Sequence, residues 1–395
     1  MVGEHTEATA FISPPISGES QPRVFAPRRT RPPVTANDGA LQTLQFGALD
    51  LELGGRLPEV TLAYRTWGRL NAAGTNTVLV VHALTGDTRA GGEGGWWEPL
   101  IGPGRAIDTD RAFVLCVNVL GGCQGSTGPT ALDPVTGRPY GMRFPLITIG
   151  DIVASQRRLV EALGITQLVP IGGSIGGFQA LEWATRHPDL VGAVVPLAVT
   201  GALSAQGIAL NEVGRRAIVA DPNWRDGAYA DEGVFPEHGL AIARMIAMIT
   251  YHSRESLALR FDRAPATRPG LYPPFGPLFD VEGYLHYQGA ALVRRFDANS
   301  YLYLTRAMDL YDVGRDGGAT HWLSQIAAPV LLMGVRSDWL FPPDEIRALA
   351  ATLHDLGKEV TYAELDSPHG HDAFLKEWEH LTPPIGAFLR RTVPK

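Results

Sequence analysis

The sequence predicts an α/β fold, a mostly parallel sheet flanked by helices and interrupted by a helical insertion. Three patterns predict it. Short β-branched apolar runs alternate with amphipathic stretches between residues 75 and 200. Residues 201–327 then carry helical periodicity with no convincing strand, and strand–helix alternation resumes at residue 328. Alternation of this kind requires parallel strands joined by right-handed crossovers.

The elements follow in order. Residues 1–40 are rich in Pro, Ser, Thr and Arg without periodicity and read as a flexible leader, with a basic docking arm (RVFAPRRTR) as the alternative. The first part of the core spans 41–200. LQTLQFGALDLELGGRLPEVTLAYRTWG alternates apolar and polar residues around a Gly-Gly turn, as antiparallel strands do. TNTVLVVHAL, RAFVLCVNVLG, QLVPIGG and LVGAVVPLAV are nearly continuous apolar runs, which suits strands covered on both faces. IGDIVASQRRLVEALGI is amphipathic at helical spacing and stops at Gly164, and FQALEWATRHP is a helix ended by Pro188. The insertion, 201–327, contributes QGIALNEVGRRAIVA, GLAIARMIAMITYHS and YLYLTRAMDLYDV as helices. The second part of the core, 328–395, supplies the strand APVLLMGV, the helix PDEIRALAATLHDLG, the strand EVTYAEL and a last helix from Asp372 to Leu389.

Composition narrows the function classes. Of 395 residues, 45% are apolar and 19% charged, the balance of a globular protein with a sizeable core. The net charge of −7 has no basic stripe, which argues against a nucleic-acid partner. Two cysteines, Cys116 and Cys123, without a CxxC pair or a His-rich cluster, suggest neither a disulfide scaffold nor a metal site. No apolar run approaches the roughly 18 residues of a membrane span, and the N-terminus lacks a signal-peptide core. A reduced, cytoplasmic setting is expected.

The chemistry centres on IGGSIGG, which contains G-x-S-x-G at Gly172, Ser174 and Gly176. It follows a buried strand and opens a helix, the context of a nucleophile elbow, where small neighbours let a strained serine project its hydroxyl. With the parallel sheet and helical insertion, this predicts the α/β-hydrolase fold. A serine needs a base, and this fold brings its partners in the order Ser, acid, His. Asp338 follows the strand APVLLMGV and His371 follows EVTYAEL, so Ser174, Asp338 and His371 are the expected triad. Asp344 is the rival acid, read as a first-turn helix charge, and His369 the rival base. The Ile175 amide, at the helix N-terminus, and the Leu84 amide, in the loop after the strand VLVVH, are expected to hold an oxyanion. His82 precedes that loop and reads as a structural hydrogen-bonder; Cys123, in GGCQGSTG, reads as loop packing.

The blocks HALTGD (82–87), NVLGGCQGSTGP (118–129), GGSIGGFQALEW (172–183), NEVGRRAI (211–218), LAIARMIAMITY (240–251), RFDANSYLYLTRAMD (295–309) and GHDAFL (370–375) resemble the homoserine O-acetyltransferase family. The resemblance runs from about residue 41 to the C-terminus and includes the insertion. It implies ping-pong transfer of acetyl from acetyl-CoA to the L-homoserine hydroxyl, a step of methionine biosynthesis. It further implies no cofactor besides acetyl-CoA as substrate, and a homodimer. Arg244 and Asp372 match the positions this family uses to hold the amino acid, a guanidinium for carboxylate and a carboxylate for ammonium. The chain departs from the family by carrying Ile175 and Phe178 where methionines are usual. Succinyl-transferring relatives look like they carry Arg two residues past the triad Asp; Leu340 stands there and favours acetyl. Serine as acceptor, succinyl as donor, and an esterase or thioesterase with the same triad are the alternatives.

Overall fold

The computed structural model describes residues 38–266 and 276–394. The leader's residues 1–37 lie outside the described residues; from Asp38 the chain is already joined to the sheet, with a bridge from Asp38 to Thr66.

Among the described residues eight strands form one sheet: β1 Gln42–Phe46, β2 Val60–Trp67, β3 Thr77–Val81, β4 Phe113–Val117, β5 Leu168–Gly173, β6 Val195–Leu197, β7 Val330–Val335 and β8 Val360–Leu365. Their spatial order is β1-β2-β4-β3-β5-β6-β7-β8. The antiparallel pairs lie at one edge, Gln42 opposite Tyr64 and Tyr64 opposite Val117. From β4 onward every pairing is parallel, for example Val80 beside Ile171 and Leu197 beside Met333. The continuous apolar runs have a plain cause. Leu79 and Val81 of β3 face one core while Val78 and Val80 face the other, because successive side chains point to opposite faces.

Helix α1 (Ile149–Ala162) starts at a capping box in which the Thr148 side chain accepts the Asp151 amide and the Asp151 carboxylate accepts the Thr148 amide. Helix α2 (Ile175–Arg186) follows β5 directly. The insertion lies between β6 and β7 and is built on α3 (Ala205–Val219), α4 (Glu237–Tyr251), α5 (Asp280–Val293) and α6 (Ala298–Asp309). Helix α4 packs between α3 and α5, and α6 packs on α3. Helix α7 (Pro343–Asp355) connects β7 to β8.

The expected helix from Asp372 to Leu389 is divided. A 3-10 turn at Gly370–Asp372 and a helical turn at Ala373–Lys376 precede a break at Glu377, and α8 runs from Trp378 to Thr392. The break falls where the Glu377 backbone leaves helical geometry, with φ −90° and ψ 52°, and just before it the Trp97 indole donates to the Phe374 carbonyl at 2.9 Å.

Candidate active site

β5 runs into α2 through Ser174, whose φ of +60° and ψ of −127° lie in a region that side chains avoid. The flanking glycines make that turn possible. A Cβ on Gly172 would sit 2.2 Å from the Val81 carbonyl oxygen, and one on Gly176 would sit 2.3 Å from the same atom. Strand β3 therefore passes too close for any side chain at either position. The Ile175 amide is the first of α2 and has no acceptor within the helix, so it is available at the positive end of the helix dipole.

His371 and Asp338, 33 positions apart, meet at 2.7 Å between Nδ1 and Oδ2. The other Asp338 oxygen accepts the amides of Leu340 at 2.9 Å and Phe341 at 3.0 Å, so the carboxylate is held from both sides. The imidazole stacks on Phe341 at 5.0 Å between ring centroids and meets the edge of Phe374 at 5.4 Å. Its Nε2 is buried and has no hydrogen-bond partner among the described residues. A buried imidazole oriented by a carboxylate and left with one free nitrogen is arranged to take a proton from a neighbouring group.

A cavity of about 300 Å³ joins these groups, lined by Leu84, Ser174, Arg244, Arg295, His371 and Asp372 among others. Arg244, on α4, reaches Thr85 Oγ1 at 3.5 Å, and its guanidinium carbon lies 5.6 Å from the Tyr251 ring centre. Arg295 donates to the Thr85 carbonyl at 2.6 Å, and burial followed by the charge of Arg244 lowers its pKa. Neither guanidinium has a carboxylate partner among the described residues, whereas Asp87 is taken by Arg89 at 2.8 Å. Asp372 faces the same cavity and pairs with Lys376 at 3.1 Å. A second, smaller cavity of about 30 Å³ also touches Ser174 and is closed by Ala247, Tyr301, Met308 and Leu340.

The rival residues stand elsewhere. Asp344 is an exposed first-turn residue of α7. His369 Nε2 lies 3.7 Å from Glu377. His82 has both ring nitrogens engaged, Nδ1 with the Ala83 carbonyl at 2.8 Å and Nε2 with the Val119 amide at 3.2 Å. Burial raises the Cys123 thiol to about 12, and its sulfur accepts the Asp297 amide, so it carries no nucleophilic thiolate.

Residues 76–377 match the model of the alpha/beta hydrolase fold family. The homoserine O-acetyltransferase of Symbiobacterium thermophilum is 50% identical over 352 residues, covering 87% of this chain and 92% of its own. The chain belongs to the homoserine O-acetyltransferase family. The crystal structure of a homoserine O-acetyltransferase from Bacillus anthracis superposes with a TM-score of 0.84 at 27% identity, over 91% of this chain and 99% of that one. Esterase E22 superposes with a TM-score of 0.81 at 28% identity, over 89% of this chain and 99% of its own. Members of this family are acyltransferases, while E22 carries the name of a hydrolase on a similar frame.

Several residues of the site have no mark in the sequence. Tyr251, Thr85 and Arg295 line the main cavity although the sequence alone assigns none of them a role. The available signal was their place in the blocks HALTGD, LAIARMIAMITY and RFDANSYLYLTRAMD. The rings around His371 are ordinary apolar residues until the fold gathers them.

Proposed function

We propose that this chain is a homoserine O-acetyltransferase working by a ping-pong, acyl-serine route, with Ser174, Asp338 and His371 as its triad. The observation that carries the proposal is one cavity shared by Ser174, His371, an Arg244 guanidinium with no carboxylate partner among the described residues, and the Asp372 carboxylate. An esterase needs the first two; a zwitterionic acceptor calls for all four.

His371 Nε2 takes the Ser174 hydroxyl proton, and Oγ attacks the thioester carbonyl carbon of acetyl-CoA. The amides of Leu84 and Ile175 hold the oxyanion. The C–S bond breaks, and the imidazolium returns its proton to the departing CoA thiolate, leaving acetyl-Ser174. Homoserine then binds with its carboxylate on Arg244 and its ammonium on Asp372. His371 takes the proton of its hydroxyl, which attacks the acetyl carbon, and O-acetylhomoserine leaves as the proton returns to Ser174. Water is present at tens of molar, so transfer depends on the cover that the insertion puts over the site. The acetyl methyl fits the small cavity bounded by Leu340, which offers no cation for a second carboxylate. The reaction draws on no cofactor, the enzyme works in the cytoplasm as a homodimer, and no described helix is long and apolar enough to cross a membrane.

The test follows thiol release from acetyl-CoA with and without homoserine, beside Ser174→Ala. Release that requires homoserine and disappears in the variant is the expected result. Equal release without acceptor overturns the transferase reading in favour of hydrolysis, and the same assay with serine and with succinyl-CoA ranks acceptor and donor.

A further inference from the structure

One short turn of the insertion touches both the loop that carries Asp338 and the loop that carries His371. Helix α4 ends at Tyr251, and His252 and Ser253 follow. From this turn the His252 carbonyl accepts the Trp339 indole Nε1 at 2.9 Å, and the Ser253 hydroxyl donates to the Pro368 carbonyl. Trp339 is the neighbour of Asp338, and Pro368 lies three residues before His371. Helix α3 holds the same acid loop from the other side, with Gln206 Nε2 donating to the Trp339 carbonyl at 2.9 Å.

Gly370, directly before His371, fits against the turn without room for a side chain. Its φ is +66°, and a Cβ there would lie 2.6 Å from the Ser253 amide nitrogen and 2.8 Å from the Tyr251 carbonyl oxygen. The two loops are also tied to each other: Ser337 Oγ donates to the Ser367 carbonyl at 2.6 Å and accepts the Gly370 amide at 2.9 Å. The turn is itself anchored inside the insertion, where His252 meets Tyr284 Oη at 2.8 Å and Ser256 Oγ at 3.1 Å.

We infer that the turn 251–253 is a brace that positions Asp338 and His371 for acyl transfer, with Trp339 and Ser253 as positioning residues. The His371–Asp338 bond joins two loops that leave neighbouring parallel strands and are tied to each other by Ser337, and the turn adds a contact to each from the insertion. The brace fixes both loops against one rigid body. That body is α4, the helix that also carries Arg244. The insertion is thus part of the catalytic frame as well as its cover. A displacement near 1 Å in such a frame costs about 100-fold in rate.

This inference rests on the acyl-serine reading, and the experiment separates the two. Trp339→Phe deletes the indole donor and keeps a ring at a partly exposed site; Ser253→Ala deletes the second contact, and Ser253→Thr restores a hydroxyl. Gln206→Ala tests the opposite side of the acid loop should Trp339→Phe fold poorly. The rate of acetyl-Ser174 formation is read by the burst from p-nitrophenyl acetate, with kcat and KM for homoserine measured beside it. The expected result is a fall of about 10- to 100-fold in burst rate and kcat, KM within about threefold, and recovery in Ser253→Thr. In an Asp338→Ala background Trp339→Phe is expected to add no further loss, since the carboxylate it positions is gone. An unchanged burst in Trp339→Phe and Ser253→Ala overturns the inference, and so does a full additional loss when Trp339→Phe is added to Asp338→Ala. A burst that survives Ser174→Ala overturns the acyl-serine reading instead.

Discussion

At the scale of single residues, the site depends on which atoms are already committed and which are free. Asp338 spends one oxygen on two amides and the other on His371 Nδ1, which leaves the imidazole with only Nε2 to exchange protons. Asp338→Asn keeps the shape but reverses the donor at that bond and selects the wrong tautomer. Steady-state assays are expected to show kcat lower by about 10⁴-fold with the fold intact; a change below tenfold would remove Asp338 from the mechanism. Arg244 is free in the opposite sense, as a half-buried guanidinium that among the described residues has a 3.5 Å contact to Thr85 and the Tyr251 ring beside it but no carboxylate. Arg244→Gln is expected to raise KM for homoserine by about 100-fold while leaving the burst with p-nitrophenyl acetate unchanged. A slower burst with normal KM would instead give Arg244 a role in placing the oxyanion loop. Ser174, Asp338 and His371 were legible in the sequence because each sits beside a strong strand or within a glycine pattern. Arg295 and Thr85 were not, because their contact spans 210 positions and uses a backbone carbonyl.

At the scale of elements, the strands were the most readable feature, since burial on both faces imposes an apolar run that few other structures tolerate. The last helix reads as continuous in the sequence because no glycine or proline marks Glu377, where the backbone leaves helical geometry at φ −90° and ψ 52°. The turn after α4 is a similar case, with a titratable group at its centre. Burial lowers the His252 pKa to about 4, and the charges of Lys376, Arg260 and His369 act in the same direction against Asp372. Tyr284 and Ser256 occupy its two ring nitrogens. The folded chain therefore keeps His252 neutral at a pH where the unfolded chain protonates it. The stability linked to this residue is complete above the ordinary histidine value of 6.5 and is lost as the pH falls toward about 4. Thermal midpoints measured from pH 7.5 to 4.5 are expected to fall across that window, and more shallowly in His252→Gln. An equal fall in the variant would assign the acid sensitivity to other groups, such as His187, which burial also lowers to about 4.

At the scale of the whole molecule, the question is whether the insertion is a separate body. One hydrophobic core contains Leu79 and Val81 of β3, Phe178 of α2, Ile218 and Leu240 of the insertion, and Tyr301 and Leu304 of α6, all buried. The chain order adds a second constraint, because β7 and β8 complete the sheet only after the insertion has been passed. The change of periodicity in the sequence set only an expected start and end for the insertion and said nothing of this shared core, since helical periodicity does not reveal what a helix packs against. Two bodies that share one core lose most of their buried apolar surface together, so neither has a stable partly folded state to rest in. Calorimetry is therefore expected to give one transition whose calorimetric and van't Hoff enthalpies agree. Trp339→Phe and Ser253→Ala, which loosen the turn joining α4 to both triad loops, are expected to lower its midpoint without splitting it. A first transition that abolishes the burst from p-nitrophenyl acetate while leaving the sheet's far-ultraviolet signal in place would mean that the insertion unfolds on its own.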